Sequence, residues 1–424
     1  MGKVAAADTA APSEGARRKK SRPGRPARPE IYVAPSHQWS SWLFSLTMLV
    51  LVLPALLTYV AIYLGTDAAN PPSFFIRLVL CIFLDSVYGG SYYAVLLPPA
   101  RVLARFLPGA WVPESSKECE KQENAVFDLS IQWPLPASPI PTSWIDVARR
   151  SKHVNPFFLN HVRGSTRLRQ AVFRLTAALG TVTMVHVMNR FVDHGSTLAD
   201  IGLEISFADI GWGFAVGSTI VIILFLVEVA LGWIQIVGYG EVVVPGESLI
   251  LNLLWDVFFH IGVSINEEVS LRGWILVNTA LYVRTLGWSP SEAMAMAVAL
   301  QAGVFALMHM GSPGASRVGL INLVIVGTVA ALNVFLSGGL SFSLGWHFGW
   351  NIWMGHFLGL STSGIPMSAK LISVVPDPKK ASLHGGRFGP EQSPLAATAY
   401  LLGCAALGLI YGGDGLTIWR NKLA

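Results

Sequence analysis

The stretch NEEVSLRGW, residues 266–274, sets Glu267, Glu268 and Arg272 inside a run that is otherwise apolar. An ionised side chain at the centre of a spanning helix costs roughly 2.5–3.5 kcal/mol on insertion scales, so such groups persist where they pair or work. On an α-helix Glu268 and Arg272 are one turn apart and can form an ion pair. Glu267 points about 100° away from that pair. The spacing therefore predicts two roles, a buried Glu268–Arg272 pair and a Glu267 carboxylate turned toward a cavity. Asp256, His260 and Ser264 fall near the Glu267 face if the helix is continuous, which lengthens the polar stripe. A charged patch at a helix end is the plainer alternative.

Two further clusters stand downstream. FALMH, residues 305–309, puts Phe305 and His309 on one helix face, and HFGWN, residues 347–351, does the same for His347 and Asn351. Polar side chains in spanning helices line wet cavities or bond one helix to another, and Gly345 and Gly349 permit close packing in either case. Together the clusters supply an unpaired carboxylate, two imidazoles and an amide, which is an inventory for hydrolysis. A carboxylate can take a proton from water. A histidine can hold or share that proton. An imidazole and an amide can stabilise the developing oxyanion in a dry site. Glu267, His309 and His347 could instead ligate zinc. HExxH is absent, however, and asparagine is a poor zinc ligand, so the preferred reading requires no cofactor and zinc is its alternative.

Other polar groups have more ordinary readings. Arg77 and Asp85 lie in the second apolar run, where pairing or snorkelling accounts for Arg77. Glu228, in the fourth run, reads as a polar support or a helix-contact residue. His186 and His356 read as structural. His37, His153, His161, His194 and His384 fall in the tail or loops, and Cys81, Cys119 and Cys404 have no metal or redox spacing.

These side chains need elements to hold them. Of the 424 residues, 52% are hydrophobic and 13% charged, against about 25% charged in a soluble globular protein. That balance excludes an ordinary soluble domain. Apolar runs recur at 41–65, 74–98, 170–190, 211–238, 248–284, 291–310, 316–337, 340–361 and 395–413. Most are long enough to span about 30 Å of hydrocarbon. Backbone groups cannot go unpaired in lipid, and the runs do not alternate as barrel strands do. The fold class is an all-α polytopic transmembrane helix bundle of about 8–10 spanning helices. Run 248–284 is too long for one perpendicular crossing. Tilt, a break near Gly262, or two helices in series are all open.

Residues 1–38 form a basic, Pro- and Ala-rich tail with no apolar period, and read as disordered. Residues 39–210 hold the first membrane helices with a large polar loop at 99–169. Residues 211–413 form the working core, and 414–424 a short C-terminal tail. Positive charge marks the cytoplasmic side, which puts the N-terminus inside. Loop 99–169 (with Arg149, Arg150 and Lys152) and loop 362–394 (with Lys370, Lys379 and Lys380) then also fall inside, and acidic loop 191–210 outside. Nine crossings fit, but they leave Arg420 and Lys422 outside. The basic tail reads as a topology signal beside the lipid bilayer, and no nucleic-acid partner is expected.

EEVSLR, FALMH and HFGWN, in this order, resemble the EExxxR, FxxxH and HxxxN motifs of the type II CAAX prenyl endopeptidase family, intramembrane proteases also grouped with bacteriocin-processing and self-immunity proteins. The linking segments HMGSPGAS, NIWMGHFLGLSTSG and GGRFGPEQS are similar to bacterial members. The resemblance covers about 245–413. It implies that Glu267 is the general base, that His309 helps position the water, and that His347 and Asn351 form the oxyanion hole. Glu268 and Arg272 would hold the site together. The partner implied is a peptide or protein substrate at the membrane, of the prenylated CAAX type or another. A non-enzymatic membrane protein, a transporter or an immunity or scaffold factor, is the reading from a different class.

Overall fold

The computed structural model describes residues 48–66, 72–104, 167–193, 196–242, 248–365, 367 and 369–424. The basic tail, most of loop 99–169, Cys119, His37, His153, His161 and His194 lie outside the described residues.

Each described apolar run of the chain is built on a helix. α1 is Leu53–Leu64, α2 Phe74–Ala104, α3 Arg167–Val187 and α4 Phe207–Ala230. α5, Leu249–Glu267, runs without a break into a π-helical segment, Glu268–Ile275, and then into α6, Leu276–Thr285. α7 is Pro290–Met308, α8 Arg317–Ser337 and α9 Ser341–Ile352, which continues as a π turn to Phe357. The short α10, Ala381–His384, precedes α11, Pro394–Tyr411, and α12, Asp414–Leu423.

Seven helical runs are long and apolar enough to cross a membrane, among them Leu249–Thr285 with 37 residues. Val50–Leu64 is a shorter apolar helix. With α9, each described apolar run of the sequence contains a helix, and the chain is an all-α, multi-pass membrane bundle. At 1.5 Å per residue the 37-residue run is about 55 Å long, so it must tilt or protrude. It is not broken at Gly262. A Cβ there would lie 2.5 Å from the Arg174 carbonyl carbon, so that glycine serves the contact with α3.

One expectation needs correction. The fourth run was read as apolar helix to residue 238, but α4 stops at Ala230 and β1, Ile234–Val242, follows. β1 pairs antiparallel with β2, Ala369–Pro376, from Ile234 opposite Pro376 to Val242 opposite Ala369. The β-branched Ile234, Ile236, Val237 and Val242 suit a strand as well as a helix, and hydropathy does not separate the two. The pairing sets Tyr239–Val242 beside Ala369–Ile372 at one end of the bundle.

The other end is marked by α12. The Trp419 indole donates to the Val334 carbonyl at 3.1 Å, and Lys422 Nζ donates to the Ala199 carbonyl at 3.1 Å. Arg284 donates to the Leu423 carbonyl. The C-terminal helix thus packs beside Ala199, Arg284 and Val334.

Close packing of α4 on α9 fixes the site. Each helix presents two glycines one turn apart to the other's backbone. A Cβ on Gly345 would lie 2.0 Å from the Ile210 carbonyl oxygen, and one on Gly213 would lie 2.0 Å from that of Phe342. Small residues at this spacing let helix backbones touch in a bilayer. Gly345→Ala is therefore expected to force the helices apart, at a cost of about 1–3 kcal/mol. The measurement is the thermal unfolding midpoint in detergent. Gly408→Ala is the control, since a Cβ there meets nothing within 4 Å.

Candidate active site

The site is built where the π-helical segment passes α9. Widening the turn from i→i+4 to i→i+5 bonding is common at functional sites, and here it falls on EVSLRGWI. Glu268 and Arg272 remain paired, Arg272 Nη1 lying 3.2 Å from Glu268 Oε1, and both are about 1% exposed. Glu268 does more than the spacing suggested. Its Oε1 accepts from His347 Nδ1 at 2.7 Å, and its Oε2 from the Ser343 hydroxyl at 2.6 Å. An ionised carboxylate only accepts, so His347 carries its proton on Nδ1. Ser343 stands one turn before His347, and Asn351 one turn after, so Ser343, His347 and Asn351 form one polar stripe down α9.

Glu267 reaches the same ring from its other side. Its Oε2 lies 4.0 Å from His347 Nε2, and both side chains are 16% exposed. That separation is too long for a direct hydrogen bond. The two adjacent glutamates thus flank one imidazole, each facing a different nitrogen. Both oxygens of Glu268 are committed, whereas no hydrogen bond engages Glu267 among the described residues.

Arg272 ties the first motif to the second. Its guanidinium stacks over the Phe305 ring at 4.4 Å from the centroid, a cation–π contact that desolvation strengthens. With the Gln301 amide turned to satisfy both neighbours, its oxygen accepts from Arg272 Nε at 3.3 Å and its nitrogen donates to the Gly327 carbonyl at 3.1 Å. Phe305 in turn fixes His309. The rings lie 4.6 Å apart, and His309 Nδ1 donates to the Phe305 carbonyl at 2.9 Å. That bond leaves Nε2 of a neutral His309 ring with its lone pair. His309 caps the C-terminus of α7 and is half-buried. The i,i+4 spacing of Phe305 and His309 therefore serves two contacts at once, one to Arg272 and one to His309.

A cavity of about 410 Å³, counting the part open to solvent, is lined by Glu268, Arg272, Ser343, His347, Asn351 and Glu391, with Trp346, Trp350 and Tyr400 among its apolar walls. Asn351 is 4% exposed. Glu267 and His309 stand outside this lining, Glu267 beyond the His347 ring. Three residues of the site, Ser343, Gln301 and Glu391, were missed in the sequence. Ser343 was within reach of the same i,i+4 rule applied backwards from His347, while Gln301 and Glu391 belong to other elements.

The upstream stripe makes a separate buried cluster. Asp256 Oδ1 pairs with Arg167 Nε at 2.8 Å, and Asp256 Oδ2 lies 3.0 Å from His356 Nδ1. His356 Nε2 meets His260 Nε2 at 2.9 Å. His356 thus has the structural role expected of it, while His186 is exposed. Arg77 pairs with Asp193, and Asp85 accepts from Thr181 at 2.5 Å. Glu228 is fully buried on α4.

As a metal site the donors fit poorly. Among the described residues no three His, Cys, Asp or Glu side chains are placed to hold an ion. His309 Nδ1 bonds to the Phe305 carbonyl and His347 Nδ1 to Glu268, so each ring has only Nε2 left to offer.

Residues 249–353 match the family model described as type II CAAX prenyl endopeptidase Rce1-like. The matched stretch runs from α5 to the end of α9 and contains Glu267, Glu268, Arg272, His309, His347 and Asn351. No curated protein matches the chain, and no solved structure does. Over residues 249–353, about a quarter of its length, this multi-pass membrane protein is similar to the type II CAAX prenyl endopeptidase Rce1-like family.

Proposed function

We propose that the chain is an intramembrane endopeptidase that hydrolyses membrane-associated peptides, of the prenylated CAAX type or related to it, by water activated at Glu267. The observation that carries this reading is the pairing of two glutamates with one imidazole. Glu268 holds His347 by Nδ1, which leaves Nε2 and the uncommitted Glu267 facing each other across 4.0 Å. A water oxygen at the side of that gap can bond to both. Glu267 takes its proton, and the hydroxide oxygen attacks the scissile carbonyl carbon.

The carbonyl oxygen becomes an oxyanion as the attack proceeds. His347 and Asn351, one turn apart on α9, supply the donors. Glu267 and Glu268 on either side compensate an imidazolium at His347. His309, with Nε2 free, holds the water or shares its proton. Arg272 neutralises Glu268 and keeps it fixed. No step requires a metal. The N-terminus is assigned to the cytoplasmic side on its positive charge.

The test uses the full chain in lipid vesicles with a farnesylated CAAX-terminated peptide, read by mass spectrometry of the released fragment. Asn351→Ala is expected to lower kcat by roughly 10²–10³-fold with KM within a few-fold, the loss typical of one oxyanion donor. Unchanged kcat would remove Asn351 from the oxyanion hole, and a wild-type chain that cleaves no such peptide would refute the substrate class.

A further inference from the structure

The three segments that link the motifs meet around one carboxyl group. Glu391 lies in the turn Pro390–Gln392, which leads into α11, and is 7% exposed. Its Oε2 accepts from both the backbone N–H and the hydroxyl of Ser363, at 2.7 and 2.9 Å. Ser363 is the one non-glycine among the described residues with positive φ, at 49°. Strained backbone of this kind persists where surrounding structure enforces it, and clusters at functional sites.

The enforcement is visible on every side. Gly364 N–H donates to the Phe388 carbonyl at 2.7 Å. A Cβ on Gly364 would lie 2.0 Å from the Pro313 carbonyl oxygen, and one on Gly389 would lie 2.1 Å from that of Ser361. Gln392 is pinned to α8, accepting from Ser316 Oγ and Asn322 Nδ2 at 2.8 Å each. So HMGSPGAS, the end of NIWMGHFLGLSTSG, and GGRFGPEQS lock one another, and the product is a fixed Glu391.

Both hydrogen bonds of that carboxyl fall on Oε2, and Glu391 lines the cavity with His347 and Asn351. Its charged and titratable neighbours are His309 at the end of α7, His347 on α9 and Tyr400 on α11, with Arg272 and Glu268 across the cavity.

On the protease reading, one requirement is still unmet. Glu267 accepts a proton during attack, and the departing nitrogen must gain one. We propose that Glu391 is the proton donor to the leaving group, a further catalytic residue of the same site. As the tetrahedral intermediate collapses, the oxyanion electrons re-form the carbonyl, the C–N bond breaks with its pair going to nitrogen, and the Glu391 proton follows to that nitrogen. Glu391 is left ionised and Glu267 protonated, and one proton passing between them through water restores both. Burial pushes the Glu391 carboxyl above the usual carboxylate range, against the pull of His309 and Ser363. Two carboxyl groups of one site whose environments differ in this way divide acid from base work. The acid form is lost as pH rises, so Glu391 governs the alkaline limb of the kcat/KM profile.

Two measurements test the assignment. The first is the infrared C=O stretch of protonated carboxyl groups at neutral pH, as a difference between the wild-type chain and Glu391→Gln. A lost band is expected, and no difference overturns the proposal without touching the role of Glu267. The second compares two farnesylated substrates, one with a scissile amide and one with a scissile aryl ester, whose phenolate leaves without protonation. Glu391→Gln is expected to lose roughly 10²–10⁴-fold on the amide and less than tenfold on the ester. Equal losses on both would make Glu391 merely structural, and full amide activity would remove it from the reaction. Glu267→Gln should lose both substrates. If it keeps both, or the wild-type chain cleaves neither, the protease reading fails first and the donor role fails with it.

Discussion

Glu267→Gln is expected to lower kcat by about 10²–10⁴-fold, the usual worth of a general base, while the protein stays folded. The side chain keeps its volume, is 16% exposed, and makes no hydrogen bond among the described residues, with His347 Nε2 at 4.0 Å and the Arg174 guanidinium within electrostatic reach. Losing its charge therefore breaks no buried hydrogen bond. What it loses is a carboxylate oxygen beside that imidazole that can take a proton from water, since Glu268 has both of its own engaged by Arg272, His347 and Ser343. Cleavage of the farnesylated peptide and the unfolding midpoint should be measured on one preparation. A folded Glu267→Gln chain that cleaves at the wild-type rate would transfer the base to another residue.

Arg272→Met should do the reverse, costing stability first. The guanidinium is the cation for a Glu268 that is 1% exposed. It also bonds to Gln301 and stacks on Phe305. Removing one member of a buried ion pair leaves the other charge uncompensated and costs about 3–5 kcal/mol. The expectation is a midpoint lowered by many degrees, with activity falling in step. Adding Glu268→Gln to Arg272→Met removes the stranded charge, so the double variant should unfold at a higher temperature than Arg272→Met alone. It should still be inactive, because the Gln carboxamide no longer balances a charged His347. A double variant no more stable than the single would mean that Arg272 acts through packing on Phe305 and not through Glu268.

Much of this arrangement was legible along the sequence. Run length and the absence of charge located every apolar helix, because lipid leaves the backbone no other solution. The i,i+4 rule found the Glu268–Arg272 pair and the His347–Asn351 face. Failures came where one position depends on a distant one. Glu268 was read through its helical neighbour alone, while its bonds to His347 and Ser343 cross to α9. Gln301 is one turn before Phe305, but its partner Arg272 is on another element. Glu391 stands in GGRFGPEQS without local signal, since nothing nearby in the sequence says that Ser363 will hold it. The strand β1 was absorbed into a span because hydropathy carries no period of two in IQIVGYGEV. The spacing separated Glu267 from Glu268 by role, but nothing along the helix says that both will stand against one imidazole.

That wide winding has a consequence for how the chain tolerates change. A π-helical stretch holds more residues per turn than the α-helix around it, so it behaves as a built-in insertion. Deleting a single residue between Glu268 and Ile275 would let the rod rewind as a regular α-helix. The helix on either side of the deletion would then keep its orientation, and only side chains inside the segment would change face. Composition, hydropathy and span count would hardly register the loss. Yet Glu268 and Arg272 both lie inside that segment, so a deletion between them would break their spacing while Glu267 and α6 kept their orientation, and an indel of one amino acid, silent to a topology forecast, would disarm the centre.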